Sequence, residues 1–462
     1  MCAVTKTRKA LKWIAIVLAF LIIGLPLLLA AINVFDEDLK PEALAFADFT
    51  GETATPEQNG YFAWVGLRVP VSEHPHPRGL QIVAQLNEKL ETVPRDVIDL
   101  DFLGPNALKF TNNLASLCGR DATGCLYRYR AKSTDIEKQV RENKVLLERY
   151  RALYRYPHFH ETLKASYYAP LFYDPGSVSN LARAQHALHA LRGNPLLALR
   201  QLHDDTLFWR RILIETRGLV GKMIAVAVIQ RNAQLTSEIV ARYPTDKTTL
   251  TLATQAVLPL IDQERDLTQV YRNEFATSMH FFTALPTEQR PPCTAESIYD
   301  CAIDKLTRTF LFKPHATVNQ SFKYMARIAA RSKLPAPEFL KEAKENLASD
   351  QYDGDWLASW HFAYNPIGKI LNVIAEPVYA NYTARIHNLD GFLRVVSLSL
   401  KAKQQSVPDG DMSAFLARAP HLGNPYTNEP MSWDADTRTI YFNGMGENPA
   451  DELLSKRIAV HL

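Results

Sequence analysis

The sequence has none of the short motifs that define a reaction. It lacks a G-x-S-x-G elbow and an S-x-x-K set with its lactam-recognising companions. It also lacks a G-x-x-x-x-G-K-[ST] phosphate cradle and a helical H-E-x-x-H. Excess basic charge is missing too. The chain holds 52 Lys+Arg against 49 Asp+Glu, a net of +3, and Lys6, Arg8, Lys9 and Lys12 supply four of those cations. Beyond residue 12 the balance is 48 against 49, so no nucleic-acid surface is expected. Cysteine is scarce, at five residues, and no fixed repeat period emerges, so a regular solenoid is not supported.

What is present begins with one uncharged apolar run, Trp13 to Phe35, in which Asn33 is the only strongly polar side chain. A bilayer core of ~30 Å needs ~20 apolar helical residues, so this run is predicted to span it. Gly24 and Pro26 are tolerated in membrane helices. Cations precede the run, and Asp36, Glu37 and Asp38 follow it, which predicts a cytoplasmic N-terminus and an exported C-terminus. A cleaved signal peptide would have a shorter apolar region of ~7–15 residues and a small-x-small site. Leu29-Ala30-Ala31-Ile32 fits that poorly. The predicted organisation is a cytoplasmic tail at 1–12, a single transmembrane anchor at 13–35, an acidic stalk at 36–57 and a periplasmic domain at 58–462, divided near 285–315.

Cys2 stands alone on the cytoplasmic side. Cys118 and Cys125, and likewise Cys293 and Cys301, form two close pairs, which in an exported region predict two local disulfides. Zinc is the competing reading, but zinc knuckles place two to four residues within a pair, and these hold six and seven.

The exported part reads as mainly α-helical. Residues 60–70, GYFAWVGLRVP, suit a short strand or the start of a helix, and 71–80 a proline-rich loop. From Ser133 one face gathers Ile136, Val140, Leu147, Tyr150 and Tyr154, with Thr134 and Glu137 spaced as a capping box. A helix over 179–192 stops at Gly193-Asn194-Pro195. The pattern from Asp204 to Tyr243 predicts a long helix kinked or broken near Gly218 and Gly221, with Pro244 closing it. Further helices are expected at 247–263, 265–284, 317–333, 337–348, 367–388 and 390–404. Alternation in MSWDADTRTIYFNGMG predicts a β-hairpin over 431–444 with its turn at 434–437.

Five segments together carry a resemblance: NGYFAWVGL at 59–67, CGRDATGC at 118–125, LLERYRALYRYPHF at 146–159, YNPIGKIL at 364–371 and NPYTNEPMSWDADTRTIYF at 424–442. They resemble a group of bacterial single-span inner-membrane-anchored proteins with a helical periplasmic domain and no assigned function. The resemblance spans most of the exported part and implies a Gram-negative periplasmic setting. It brings no catalytic residue with it.

Candidate sites are weighed against plainer readings. His74 with His76, and His158 with His160, each offer two imidazoles, a common metal-ligand type. Neither pair has a third or fourth ligand at ligand-like spacing, so no metal and no cofactor is expected. His186 and His189 share a helix face and precede His203-Asp204, as in a helical metal phosphohydrolase, but an amphipathic helix explains them as well. The acids Asp350, Asp353 and Asp355, with Trp356, Trp360 and His361, are the best enzyme hint, because acids beside aromatics can line a glycan cleft. An Asp-rich loop before a helix start is the plainer reading. Asp353, Asp355 and His361 are retained as weak enzyme candidates. Asn319 and Asn381 begin glycosylation sequons, which mean nothing in a bacterial periplasm. The expected function is a non-enzymatic envelope protein, tethered by its bilayer anchor, that binds an envelope protein partner. The alternative is a periplasmic hydrolase of envelope polymer or lipid.

Overall fold

A computed structural model describes residues 13–14, 16–17, 24–48, 54–92, 102–104, 106–110, 114–119, 124–166, 172, 174–243, 246–285, 301, 304–305, 307–349, 360–446 and 453–462. The chain is mainly helical, with one small three-stranded antiparallel sheet near its C-terminus. It divides into two units. The first comprises residues 1–48, 275–327 and 346–379, and the second residues 49–274, 328–345 and 380–462.

In the first unit, Trp13, Ile14, Ile16 and Val17 are helical, and the end of the apolar run forms the α-helix Leu25–Ile32. The expected anchor reached Phe35, but the helix stops at Asn33 because that side chain turns inward. Asn33 is fully buried; its amide donates to Leu29 O (2.8 Å) and Ala363 O (2.7 Å), and its oxygen accepts the Asn365 N–H at 2.7 Å. Among the described residues no helix is long and apolar enough to cross a membrane. The acids that follow are fixed to the same unit. Asp36 caps the helix Pro314–Arg331 by accepting the His315 and Ala316 N–H groups at 2.9 and 3.0 Å. Asn319 donates to Glu37 and to Asp38 O, and accepts from Lys40 N–H. Where a stalk was expected, Pro41–Ala47 is a short helix whose Phe46 ring meets those of Phe275 and Phe322, each at 5.6 Å.

The second unit opens with the helix Gly60–Val65, capped by Asn59 and wholly buried, so the helical alternative for this segment holds. The next helix, Pro75–Thr92, occupies part of the expected 71–80 loop. Pro75 and Pro77 fall in its first turn, where a missing N–H costs nothing. The two helices touch backbone to backbone: a Cβ on Gly79 would lie 1.8 Å from Phe62 O. Arg149 fixes the intervening loop by donating to the carbonyls of Leu67, Val69, Pro70 and Glu73.

The pattern from Ser133 forms two helices, Ser133–Glu142 and Lys144–Ala152, broken at Asn143. The first is not closed by the expected capping box; its N-cap is Lys132, with no side-chain cap bond. Asp174–Leu191, Pro195–Glu215 and Leu219–Arg242 follow, and the break at 216–218 lies where the glycines put it. Lys247–Ala256 ends earlier than expected, and Thr268–Ala284 agrees closely. Pro314–Arg331 and Ala336–Ser349 match, with small shifts at their starts. The two helices expected after residue 366 are one, Pro366–Gln404.

The hairpin is present as β1 (Ser432–Asp434) and β2 (Thr439–Gly444), and β2 also pairs with β3 (Lys456–His461), a strand the sequence reading omitted. Ile440 and Phe442 face inward with Ile458 and Val460, and Phe442 lies over Gly391, where a Cβ would stand 2.2 Å from its ring. Cys118 and Cys125 are disulfide-bonded. Cys301 is also in a disulfide. Its expected partner, Cys293, lies outside the described residues.

Candidate functional site

The segment Tyr156–Glu161 leaves the short turn Leu153–Arg155 as extended chain. It pairs with the residues before Gly60–Val65: Gly60 N–H donates to His158 O (2.8 Å), His158 N–H to Gln58 O, and His160 N–H to Asn59 Oδ1 (2.9 Å). The Asn59 amide returns a bond to His160 O at 2.7 Å. Side chains two apart on an extended segment share a side. Phe159 therefore points into the core, 4.9 Å from Trp64 and 5.7 Å from Tyr61 between ring centres. His158 and His160 lie together on the other side, their rings 5.4 Å apart.

Glu215, the last residue of Pro195–Glu215, meets them. Its Oε1 is 3.4 Å from His158 Nδ1 and its Oε2 is 3.9 Å from His160 Nε2. Oε2 also accepts the Phe159 N–H, which orients the carboxylate. Among the described residues this is one set of three side chains able to hold a metal ion, with ligand atoms within 4.8 Å of one another. The side chains are 42%, 24% and 18% exposed, so the cluster opens to solvent on the His158 side. Burial pushes the His160 pKa below its ordinary value, with Glu215 pulling the other way, which favours the neutral ring. Its Nδ1 accepts the Ala54 N–H at 3.0 Å, so in the neutral ring the proton sits on Nε2.

The carboxylates nearby are occupied by the fold. Glu161 is buried and accepts from Thr216 Oγ1, Arg217 N–H and Gly218 N–H, which tie the helix break to this segment. Burial raises its pKa against those three donors. Asp205 is fully buried and accepts from Tyr150 (2.5 Å), Tyr154 (2.6 Å) and Asn232 (2.8 Å), and Arg183 donates to Asn232 behind it. Burial, then Asp205, pushes both tyrosines well up, which keeps them as donors. Glu264 takes a two-pronged ion pair from Arg210 at 2.6 and 2.7 Å.

The other sequence candidates do not gather. His76 stacks on Tyr156 and contacts Pro56 O, while His74 is exposed. His186 is buried with Nδ1 on Gln201, and His203 meets its neighbour Asp204 at 3.2 Å. Asp353 and Asp355 lie outside the described residues, and His361 is described only as part of the short turn Trp360–Ala363. A cavity of about 480 Å³ in the second unit has one acidic side chain, Asp409, and one imidazole, His461, in its lining. Asp409 is ion-paired there to Arg438 at 2.9 Å. The sequence reading missed Glu215 and Asn59. A Glu closing an apolar helix just before a Thr-Arg-Gly break was the only available hint.

Comparison of the chain with models of known protein families, with curated proteins and with solved structures finds no match.

Proposed function

We propose that this chain is a membrane-tethered protein of the bacterial cell envelope that acts through protein–protein contact. One observation carries the reading: most described apolar side chains of the N-terminal segment are left uncovered by the unit that holds its end. Trp13, Ile14, Ile16, Val17, Leu27, Leu28, Val34 and Phe35 are all at least half exposed, while Asn33 among them is locked into the fold. Apolar surface of that extent calls for lipid or a partner. The charge asymmetry around it supports an N-terminus in the cytoplasm. The non-enzymatic part is supported by Asp205, Glu161 and Glu264, carboxylates committed to buried structural bonds.

A reporter active only in the periplasm should be active when fused after Leu462 and silent before Trp13, and the chain should resist alkaline carbonate washing. Cross-linking in intact cells should then return one envelope protein in constant ratio to this chain. Release by carbonate would remove the tether, and recovery of the chain alone would remove the interaction role. The hydrolase alternative is favoured by one feature, the partly exposed His158–His160–Glu215 cluster.

A further inference from the structure

We infer that His158, His160 and Glu215 form a binding site for a divalent transition-metal ion of the zinc class. The inference is independent of the tether and interaction reading above. Its first support is distance. A hydrogen bond from a histidine N–H to a carboxylate spans ~2.7–2.9 Å when charge-assisted. His158 Nδ1 is 3.4 Å from Glu215 Oε1, a long hydrogen bond, and His160 Nε2 is 3.9 Å from Oε2, beyond hydrogen-bond reach. Two ligand atoms ~2.1 Å from a tetrahedral ion lie about 3.4 Å apart. The His158–Glu215 separation equals that spacing, and all three ligand atoms lie within 4.8 Å of one another, close enough for one ion.

The second support is how the ligands are held. The His-x-His pair sits on an extended segment pinned by Asn59 and Gly60. The Phe159 N–H engages Glu215 Oε2, which leaves Oε1 turned toward His158. Metal ligands are commonly fixed this way by groups behind them. Three protein ligands with one exposed side match the open tetrahedral arrangement of non-structural zinc sites.

One contact opposes occupancy and gives the site its signature. A histidine that ligates through Nε2 needs its proton on Nδ1, and His160 Nδ1 now accepts the Ala54 N–H. Binding must release Ala54, because two N–H groups cannot face each other. The affinity should be correspondingly moderate, and metal should loosen residue 54.

The test uses the full chain in non-ionic detergent, stripped with a chelator and titrated with Co²⁺ alone. Roughly one equivalent should bind with the visible bands of a four- or five-coordinate ion and be displaced by Zn²⁺. His158→Ala and Glu215→Gln should each weaken binding by at least about tenfold. The second variant keeps an acceptor for Phe159 N–H. In the parent, Zn²⁺ should speed hydrogen exchange at the Ala54 amide, a reading that needs no variant. Absence of cobalt bands in the folded parent, equal titration of both variants, or unchanged exchange at Ala54 each overturns the site.

Discussion

Acid should destabilise the second unit through two buried histidines far apart in the chain. His186, in Asp174–Leu191, and His387, in Pro366–Gln404, are each 2% exposed. Burial, then neighbouring Arg151 at His186 and Arg265 with Arg394 at His387, pushes both pKa values down to about 3. In the unfolded chain each returns to ~6.5. A lowered folded value means the unfolded state takes the proton first. The stability of the neutral form is thus intact above pH ~6.5 and is lost as pH falls toward 3. Between pH 7 and pH 5 each histidine removes about 2 kcal/mol, and the pair about 4 kcal/mol. That is a large share of the ~5–15 kcal/mol of a typical domain.

The measurement is urea unfolding of the full chain in detergent at pH 7 and pH 5, followed by circular dichroism. The variants are His186→Asn, which can keep a donor toward Gln201 Oε1, and His387→Leu, which removes a ring Nε2 that has no hydrogen-bond partner among the described residues. All other groups titrate alike in parent and variant, so the difference in pH dependence isolates each ring. Each variant should lose less on acidification than the parent, by about 2 kcal/mol. Parallel pH profiles in parent and variants would refute the reasoning, since they would mean that both rings accept protons freely in the fold.

Gly79→Ala should lower stability by at least about 2 kcal/mol, because the added methyl falls on the Phe62 carbonyl and neither helix backbone can yield locally; chemical denaturation gives the number. Non-reducing peptide mapping should return Cys118–Cys125 as found and Cys301 joined to Cys293. A peptide joining Cys301 to any other cysteine would defeat the local pairing. Removing Asp36 by Asp36→Ala should cost about 1 kcal/mol through loss of the cap on Pro314–Arg331, seen as a lower thermal midpoint.

The helices were legible where glycine and proline mark their ends. Asp174–Leu191 and the pair broken at 216–218 follow from apolar spacing and from Gly193 and Gly218, because these are local properties of the chain. The failures share a different cause. Pro75 and Pro77 read as loop residues, yet as first-turn residues they cost the helix nothing, and its position is set by the Gly79–Phe62 contact across two helices. A break was expected near residue 389, but Gly391 stays helical with the Phe442 ring filling the space a side chain would take. β3 needed β2 as a partner to be recognised. Asn33 looked like a tolerable polar residue within an anchor; its bonds reach residues 363 and 365, more than three hundred positions away.

The cluster divides along the same line. That His158 and His160 share one side is written in the alternation of an extended segment, with Phe159 as the buried residue between them. Glu215 lies 57 residues beyond His158, and nothing in its own neighbourhood marks it as their partner. It arrives there because Pro195–Glu215 ends where Glu161 binds the Thr216, Arg217 and Gly218 donors, so the carboxylate next to the histidines sets where the third member of the trio stands. A sequence pattern can show that two imidazoles point the same way. Only the packing of the helix end against that segment can show what they point at.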